Sequence, residues 1–206
     1  MLKSKHHIVI YPLFKVLTRI LIKRNFNSVS IIGDFNDTGN AVLIIANHVS
    51  WWDGFWLMLL NLKLVHRKFH FMMLENQLRK HWYFQYTGAY SVKKKSRSAV
   101  NSLNYTLELL TNQENMVLIF PQGEINTMHT HEIKFEKGID RIIEGTNRRT
   151  QVLFVANLVD YFSKSKPNLF TYIDSILIED VINISIEKAY NDFYKKILQK
   201  HKTMIS

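Results

Sequence analysis

Apolar and polar positions along the chain follow first a helical period and then an alternation of short apolar runs with helical stretches. Near the N-terminus, His7, Tyr11, Lys15, Arg19 and Lys23 recur every four residues and form one slowly drifting polar stripe. Leu13, Phe14, Val16, Leu17, Ile20, Leu21 and Ile22 cover the rest of that helix. Pro12 suits a first turn, so the regular helix is expected to start close to it. Ser28–Gly33 and Ala41–Ala46 read as strands, joined by the turn-like Asn36-Asp37-Thr38-Gly39-Asn40. Trp51–Leu62 reads as a helix and Lys68–Leu74 as a strand of mixed patterning. Ser98–Leu110 is periodic through Leu103, Leu107 and Leu110. Met116–Phe120 reads as a short buried strand ending at Pro121, and Lys137–Gly145 as a helix. Val152–Asn157 and Leu169–Ile178 are predicted strands, and Ser185–His201 a C-terminal amphipathic helix. The alternation predicts an α/β fold with a mixed, largely parallel sheet flanked by helices and an N-terminal amphipathic helix. No internal repeat or low-complexity tract interrupts it.

Composition narrows the class. With 206 residues, 47% hydrophobic and 21% charged, the chain suits one globular domain and excludes a disordered or fibrous one. Seven glycines and three prolines exclude a collagen-like chain. The absence of cysteine removes disulfides, thiolate metal sites and cysteine nucleophiles together. No small-residue cleavage site follows the N-terminal apolar run. The longest apolar stretch, Ile8–Ile22, is interrupted by Lys15 and Arg19 and falls short of the ~20 residues a membrane span needs. A formal charge of +10 suggests an anionic partner: nucleic acid, anionic lipid or an acidic protein. No nucleic-acid module accompanies the charge, so nucleic acid is not expected as a partner. The N-terminal helix has two readings, an interfacial membrane helix or a core-packing helix whose basic stripe faces water.

Two constellations carry chemistry. Asn47-His48-Val49-Ser50-Trp51-Trp52-Asp53-Gly54 follows the strand ending at Ala46 and opens a helix, the usual location of ligand sites in α/β sheets. His48 is a natural general base. A carboxylate five residues on could accept from one ring nitrogen and leave the other free to take a proton from an incoming hydroxyl. Ser50-Trp51-Trp52-Asp53 also matches a capping box, with Ser50 as N-cap and Asp53 reaching back. The two roles are compatible, because a carboxylate has two oxygens. The second constellation, Phe120-Pro121-Gln122-Gly123-Glu124, again follows an apolar strand. Pro121 and Gly123 set a turn that a ligand can approach closely. The bland alternative is a plain strand-ending turn.

Asn47-His48-x4-Asp53, then Phe120-Pro121-x-Gly123, then Phe135-x-x-Gly138, together resemble the PlsC-like glycerolipid acyltransferases, which include the 1-acylglycerol-3-phosphate acyltransferases. The resemblance runs from about Ser28 to Tyr161. It implies an interfacial helix over 1–27 and an acyltransferase domain over 28–206. It implies transfer of a fatty acyl group from a thioester to a lipid hydroxyl, with His48 as base, Asp53 orienting it, and no acyl-enzyme. Asn47, Lys94, Phe120, Pro121, Gln122, Gly123 and Glu124 are the implied substrate-binding residues. No bound cofactor or metal is implied; acyl-CoA or acyl-ACP serves as co-substrate. The implied partners are a lipid acceptor, the membrane surface and acyl carrier protein, at the cytoplasmic face of the membrane.

Departures from the family pattern bear on the acceptor. The third block usually reads Phe-Pro-Glu-Gly-Thr-Arg, and here the glutamate is Gln122 and the arginine Ile125. An isoleucine cannot replace a bidentate phosphate donor. In the second block Lys94 stands at an arginine position, beyond Gly88, and Glu124 would repel a phosphate. The strand Val152–Ala156 lacks the family's proline. These changes favour an acceptor less charged than a phosphomonoester. They also motivate an alternative, a non-catalytic lipid-binding protein on the same scaffold. Three further features stand beside these. His129-Thr130-His131-Glu132 falls short of the convergent ligands a metal needs. Lys93-Lys94-Lys95-Ser96-Arg97 could meet donor phosphates or headgroups. Trp51, Trp52, Phe55 and Trp56 suit either the core or an acyl groove.

Overall fold

The structure, a computed structural model, describes residues 1–94, 98–181 and 184–204. In chain order its elements are α1 (Ile10–Asn25), β1 (Ser28–Ile32), β2 (Val42–Ala46), α2 (Asp53–Leu60), β3 (Lys68–Leu74), α3 (Glu75–Lys80), β4 (Ala89–Val92), α4 (Ala99–Leu110), β5 (Asn115–Ile119), α5 (Ile139–Gly145), β6 (Gln151–Asp160), β7 (Asn168–Leu177), α6 (Ile178–Val181) and α7 (Ile186–Lys202). A π-helical turn, Asn61–Val65, extends α2, and a 3-10 helix, Trp82–Tyr86, precedes β4.

Seven strands form one sheet in the order β1-β7-β6-β2-β5-β3-β4. All neighbours run parallel except β6 and β7, which form an antiparallel pair over their full lengths. The expected mixed, mostly parallel α/β architecture is therefore present. β2 sits in the middle with every residue buried, because helices cover both faces. Val42, Ile44 and Ala46 join the core under α1 and α2, while Leu43 and Ile45 join the core under α4, α5 and α7. The turn after β1 does not make a hairpin. β7 and β6 lie between β1 and β2, and Gly39 takes a positive φ of 74° beneath an Asp37 side chain that accepts its N–H.

α1 corrects one expectation. The predicted polar stripe is split, because Tyr11 is buried and its hydroxyl accepts the Phe69 N–H at 3.0 Å. Phe14 and Ile22 pack inward beside it, and the outward face carries Val9, Leu13, Val16, Leu17 and Ile20 together with Arg19 and Lys23. Lys15 lies over the Tyr11 ring. Ahead of α1, the segment Leu2–His7 is strapped to the β4 side of the sheet. The Ser91 N–H donates to the Leu2 carbonyl, and the Lys5 and His7 N–H groups donate to the Gln85 and Tyr86 carbonyls.

Candidate active site

β2 and β5 are adjacent and parallel, with Ile45 opposite Ile119. Both therefore release the chain at the same end of the sheet. This brings Asn47-His48 and Phe120-Pro121 together across some seventy residues of sequence. The His48 and Phe120 rings stack, with centroids 4.2 Å apart and planes 10° off parallel. The two loops are tied through main chain as well. The His48 N–H donates to Gln122 Oε1 at 2.6 Å, the Asn126 N–H donates to the His48 carbonyl at 2.9 Å, and Gln122 Nε2 donates to Asn126 Oδ1 at 2.9 Å.

His48 Nδ1 lies 2.7 Å from Asp53 Oδ2. The same oxygen accepts the Val49 N–H at 2.7 Å and the Ser50 N–H at 2.9 Å. An oxygen that accepts two backbone N–H groups meets the ring as an acceptor, so Nδ1 carries the proton and Nε2 keeps its lone pair when the ring is neutral. The Asp53 side chain is fully buried, whereas the His48 side chain retains 23% exposure. Burial pushes the Asp53 carboxyl above its ordinary range, and hydrogen bonds from His48, Ser50 and Val49 oppose that shift. Asp53 Oδ1 is buried without a hydrogen-bond partner among the described residues. An isolated imidazole–carboxylate pair of this kind can hold one tautomer and stabilise an imidazolium during proton transfer.

The capping reading is met in altered form. The regular helix begins at Asp53 itself, and Ser50 sits one turn earlier, where its hydroxyl accepts the Trp52 N–H at 3.2 Å. Asp53 serves the turn and the imidazole with one oxygen. Asn47 is not open to a ligand. It is fully buried, its Nδ2 donating to the Asn157 carbonyl at 2.9 Å and its Oδ1 accepting the Asn157 N–H at 2.8 Å. Its role is to tie the end of β2 to β6, which replaces the expected substrate contact.

Pro121 and Gln122 are buried, Phe120 and Gly123 half-buried, and Glu124 exposed. Gly123 has φ 64°, and a Cβ there would lie 2.8 Å from Lys94 Nζ and 3.0 Å from Glu136 Cγ. Lys94 is thus brought to the turn, paired with Glu136 Oε1 at 2.7 Å. Sequence reasoning missed Glu136, whose only local signal was its place inside Phe135-x-x-Gly138. Lys93 lies 3.5 Å from the buried Glu75, while Lys95, Ser96 and Arg97 fall outside the described residues. His129, His131 and Glu132 are exposed, and among the described residues no group of three ligating side chains is arranged to hold a metal. Phe55 and Trp56 are core residues, Trp52 is partly buried, and Trp51 is exposed.

Comparison with known proteins adds two findings. A family model described as acyltransferase matches residues 15–156. The crystal structure of the 1-acyl-sn-glycerophosphate (LPA) acyltransferase PlsC from Thermotoga maritima is similar in fold, with a TM-score of 0.69 at 17% identity, covering 95% of this chain and 81% of that one. No curated protein sequence matches.

Proposed function

The chain belongs to the acyltransferase family, and from that premise we propose that it moves a fatty acyl group from an acyl thioester to a hydroxyl of a lipid acceptor, with His48 as general base oriented by Asp53. The observation that carries this reading is the 2.7 Å contact from His48 Nδ1 to Asp53 Oδ2 on a ring that remains partly exposed. The acceptor oxygen attacks the thioester carbonyl while His48 Nε2 takes its proton. The tetrahedral oxyanion collapses, the carbon–sulfur bond breaks, and the imidazolium returns the proton to the departing thiolate. No acyl-enzyme forms. The donor is acyl-CoA or acyl-ACP, and no bound cofactor takes part. A positioned base accounts for about 10²–10⁴ in rate. Positioning of the two substrates and stabilisation of the tetrahedral oxyanion supply the rest.

The acceptor reading follows from the turn beside His48. Ile125 is exposed and apolar, Glu124 is exposed and acidic, and Lys94 is already paired. An uncharged or less charged hydroxyl suits that surface better than a phosphomonoester does. In the same reading, the outward face of α1 lies in the membrane interface at its cytoplasmic face and residues 28–206 carry the chemistry. Support comes from the outward apolar face of α1, where Leu13 is 62% and Ile20 56% exposed. Trp51 and Trp82 are also exposed, and ring contacts link each of them to Phe14 on the inward face of α1, from Trp51 through Phe55 and from Trp82 through Tyr83 and Phe84. No helix among the described residues is long and apolar enough to cross a membrane.

The test is thiol release from acyl-CoA and acyl-ACP across a panel of hydroxyl lipids, for the wild type and His48→Ala. Release that requires an acceptor and falls about 10²–10⁴-fold in the variant is expected. Retained turnover in His48→Ala rejects His48 as the base. Liposome binding with no thioester cleavage on any acceptor rejects catalysis in favour of lipid binding alone.

A further inference from the structure

Resting on the acyl-transfer reading, we propose that Glu136 selects the acceptor: its carboxylate occupies the seat on Lys94 that an acceptor phosphate would need, so the site takes lysolipids whose headgroup carries no phosphomonoester. Among the described residues, Lys94 is a cation that reaches the turn beside the stacked His48 and Phe120 rings. A Cβ at Gly123 would lie 2.8 Å from its Nζ and 2.9 Å from its Cε. A lysine so placed would ordinarily bind a phosphate as a point charge. Here Glu136 Oε1 holds that ammonium at 2.7 Å, and Glu136 Cγ lies 3.0 Å from the same Cβ position.

The backbone brings the two residues together. The Glu136 N–H donates to the Pro121 carbonyl at 2.8 Å, which fixes the segment along the turn. The turn 120–126 itself adds Glu124 and no cation. A phosphomonoester approaching Lys94 must therefore displace the Glu136 carboxylate, and it meets a turn that carries a further acidic residue, Glu124. A glycerol or sugar hydroxyl without a phosphate meets neither cost. The Lys94 side chain is one-third exposed and the Glu136 side chain about half, so the pair is reachable from solvent.

The experiment reads binding, so it does not depend on turnover. A matched short-chain pair, 1-hexanoylglycerol and 1-hexanoylglycerol 3-phosphate, is titrated calorimetrically into the wild type, Glu136→Gln, Glu136→Ser and Lys94→Met/Glu136→Gln. The wild type is expected to favour the neutral ligand. In Glu136→Gln the affinity ratio should move about two- to fivefold toward the phosphate ligand. Glu136→Ser should move it in the same sense, which keeps the test open if one variant folds poorly. Without Lys94 the shift should vanish, a dependence that a purely structural role for Glu136 would not produce. An unchanged ratio in both single variants, or a shift that survives the loss of Lys94, overturns the proposal. A missing thioester turnover would overturn the enzymatic reading while leaving this ratio as the test of Glu136.

Discussion

Replacing Asp53 by asparagine removes one charge from the site and almost nothing else. The amide oxygen can take the place of Oδ2 and keep all three donors, His48 Nδ1, Val49 N–H and Ser50 N–H. The amide NH₂ then occupies the position of Oδ1, where the described residues offer it no acceptor, at a cost of about 1–3 kcal/mol. What disappears is the negative charge facing the imidazolium that forms as His48 takes a proton. Two unit charges about 4 Å apart at an effective dielectric of about 20 interact by roughly 4 kcal/mol, which corresponds to about 10³ in rate. Stability feels two opposing effects, the buried NH₂ without an acceptor and the relief of a buried charge. Burial holds the Asp53 carboxyl above its ordinary range. Its ionised form therefore costs the fold free energy at neutral pH, and the neutral amide does not bear that cost. The expected result is a loss of about 10³ in kcat/KM for acceptor-dependent thiol release at pH 7.5, in a variant that stays folded. A folded Asp53→Asn enzyme within about tenfold of wild-type activity would refute the assignment of that charge to catalysis.

Three further outcomes follow from other parts of the molecule. Leu13→Glu/Leu17→Glu, on the exposed face of α1, should weaken binding to anionic liposomes by about tenfold or more per residue and leave the melting temperature unchanged; unchanged co-sedimentation would remove α1 from the membrane. Burial lowers His6 to about 4 and His70 to about 3 from an ordinary 6.5. The unfolded chain therefore takes up protons first. Their contribution is fully present above 6.5 and is lost as pH falls toward 4, on the order of 1 kcal/mol per pH unit for each ring; urea midpoints at pH 7.5 and 5 read it, and His70→Gln should flatten the slope. Gly88→Ala should cost about 3 kcal/mol, because at φ 108° a Cβ would overlap the Phe69 carbonyl oxygen, and a wild-type urea midpoint would contradict that.

The sheet was legible where strands are buried on both faces. β2 is an unbroken apolar run and β5 is apolar after Asn115 because they sit in the middle of a helix-covered sheet, and the predicted ends agree to within one residue. Other elements carry no such signal. α3 contains a single apolar residue, Leu78, so no periodicity marks it, and β4 is four residues long. The predicted helix Trp51–Leu62 was drawn at neither of its true ends. It begins regularly at Asp53 and runs on through a π-helical turn to Val65, closed at His66 in a left-handed conformation. Tyr11 was assigned to the polar stripe of α1 by its hydroxyl, yet its ring and that hydroxyl both turn inward to Phe69.

The pairing of His48 with Asp53 was readable because it is local, five residues across one turn. The stacking of Phe120 on His48 was readable only as a motif distance. It becomes physical once β2 and β5 are known to be neighbours. The burial of Asn47 against Asn157, the grip of Gln122 on the His48 N–H, and the Lys94–Glu136 pair depend on side chains brought together by tertiary structure. No spacing along one strand or helix encodes them.

The most direct test of the account is mass spectrometry of lipids after incubating the purified protein with an acyl thioester and a hydroxylated lysolipid. A product heavier than the lysolipid by one acyl chain, formed by the wild type and absent with His48→Ala, is predicted. The same product formed at an equal rate by both proteins would contradict the claim that this imidazole drives the transfer.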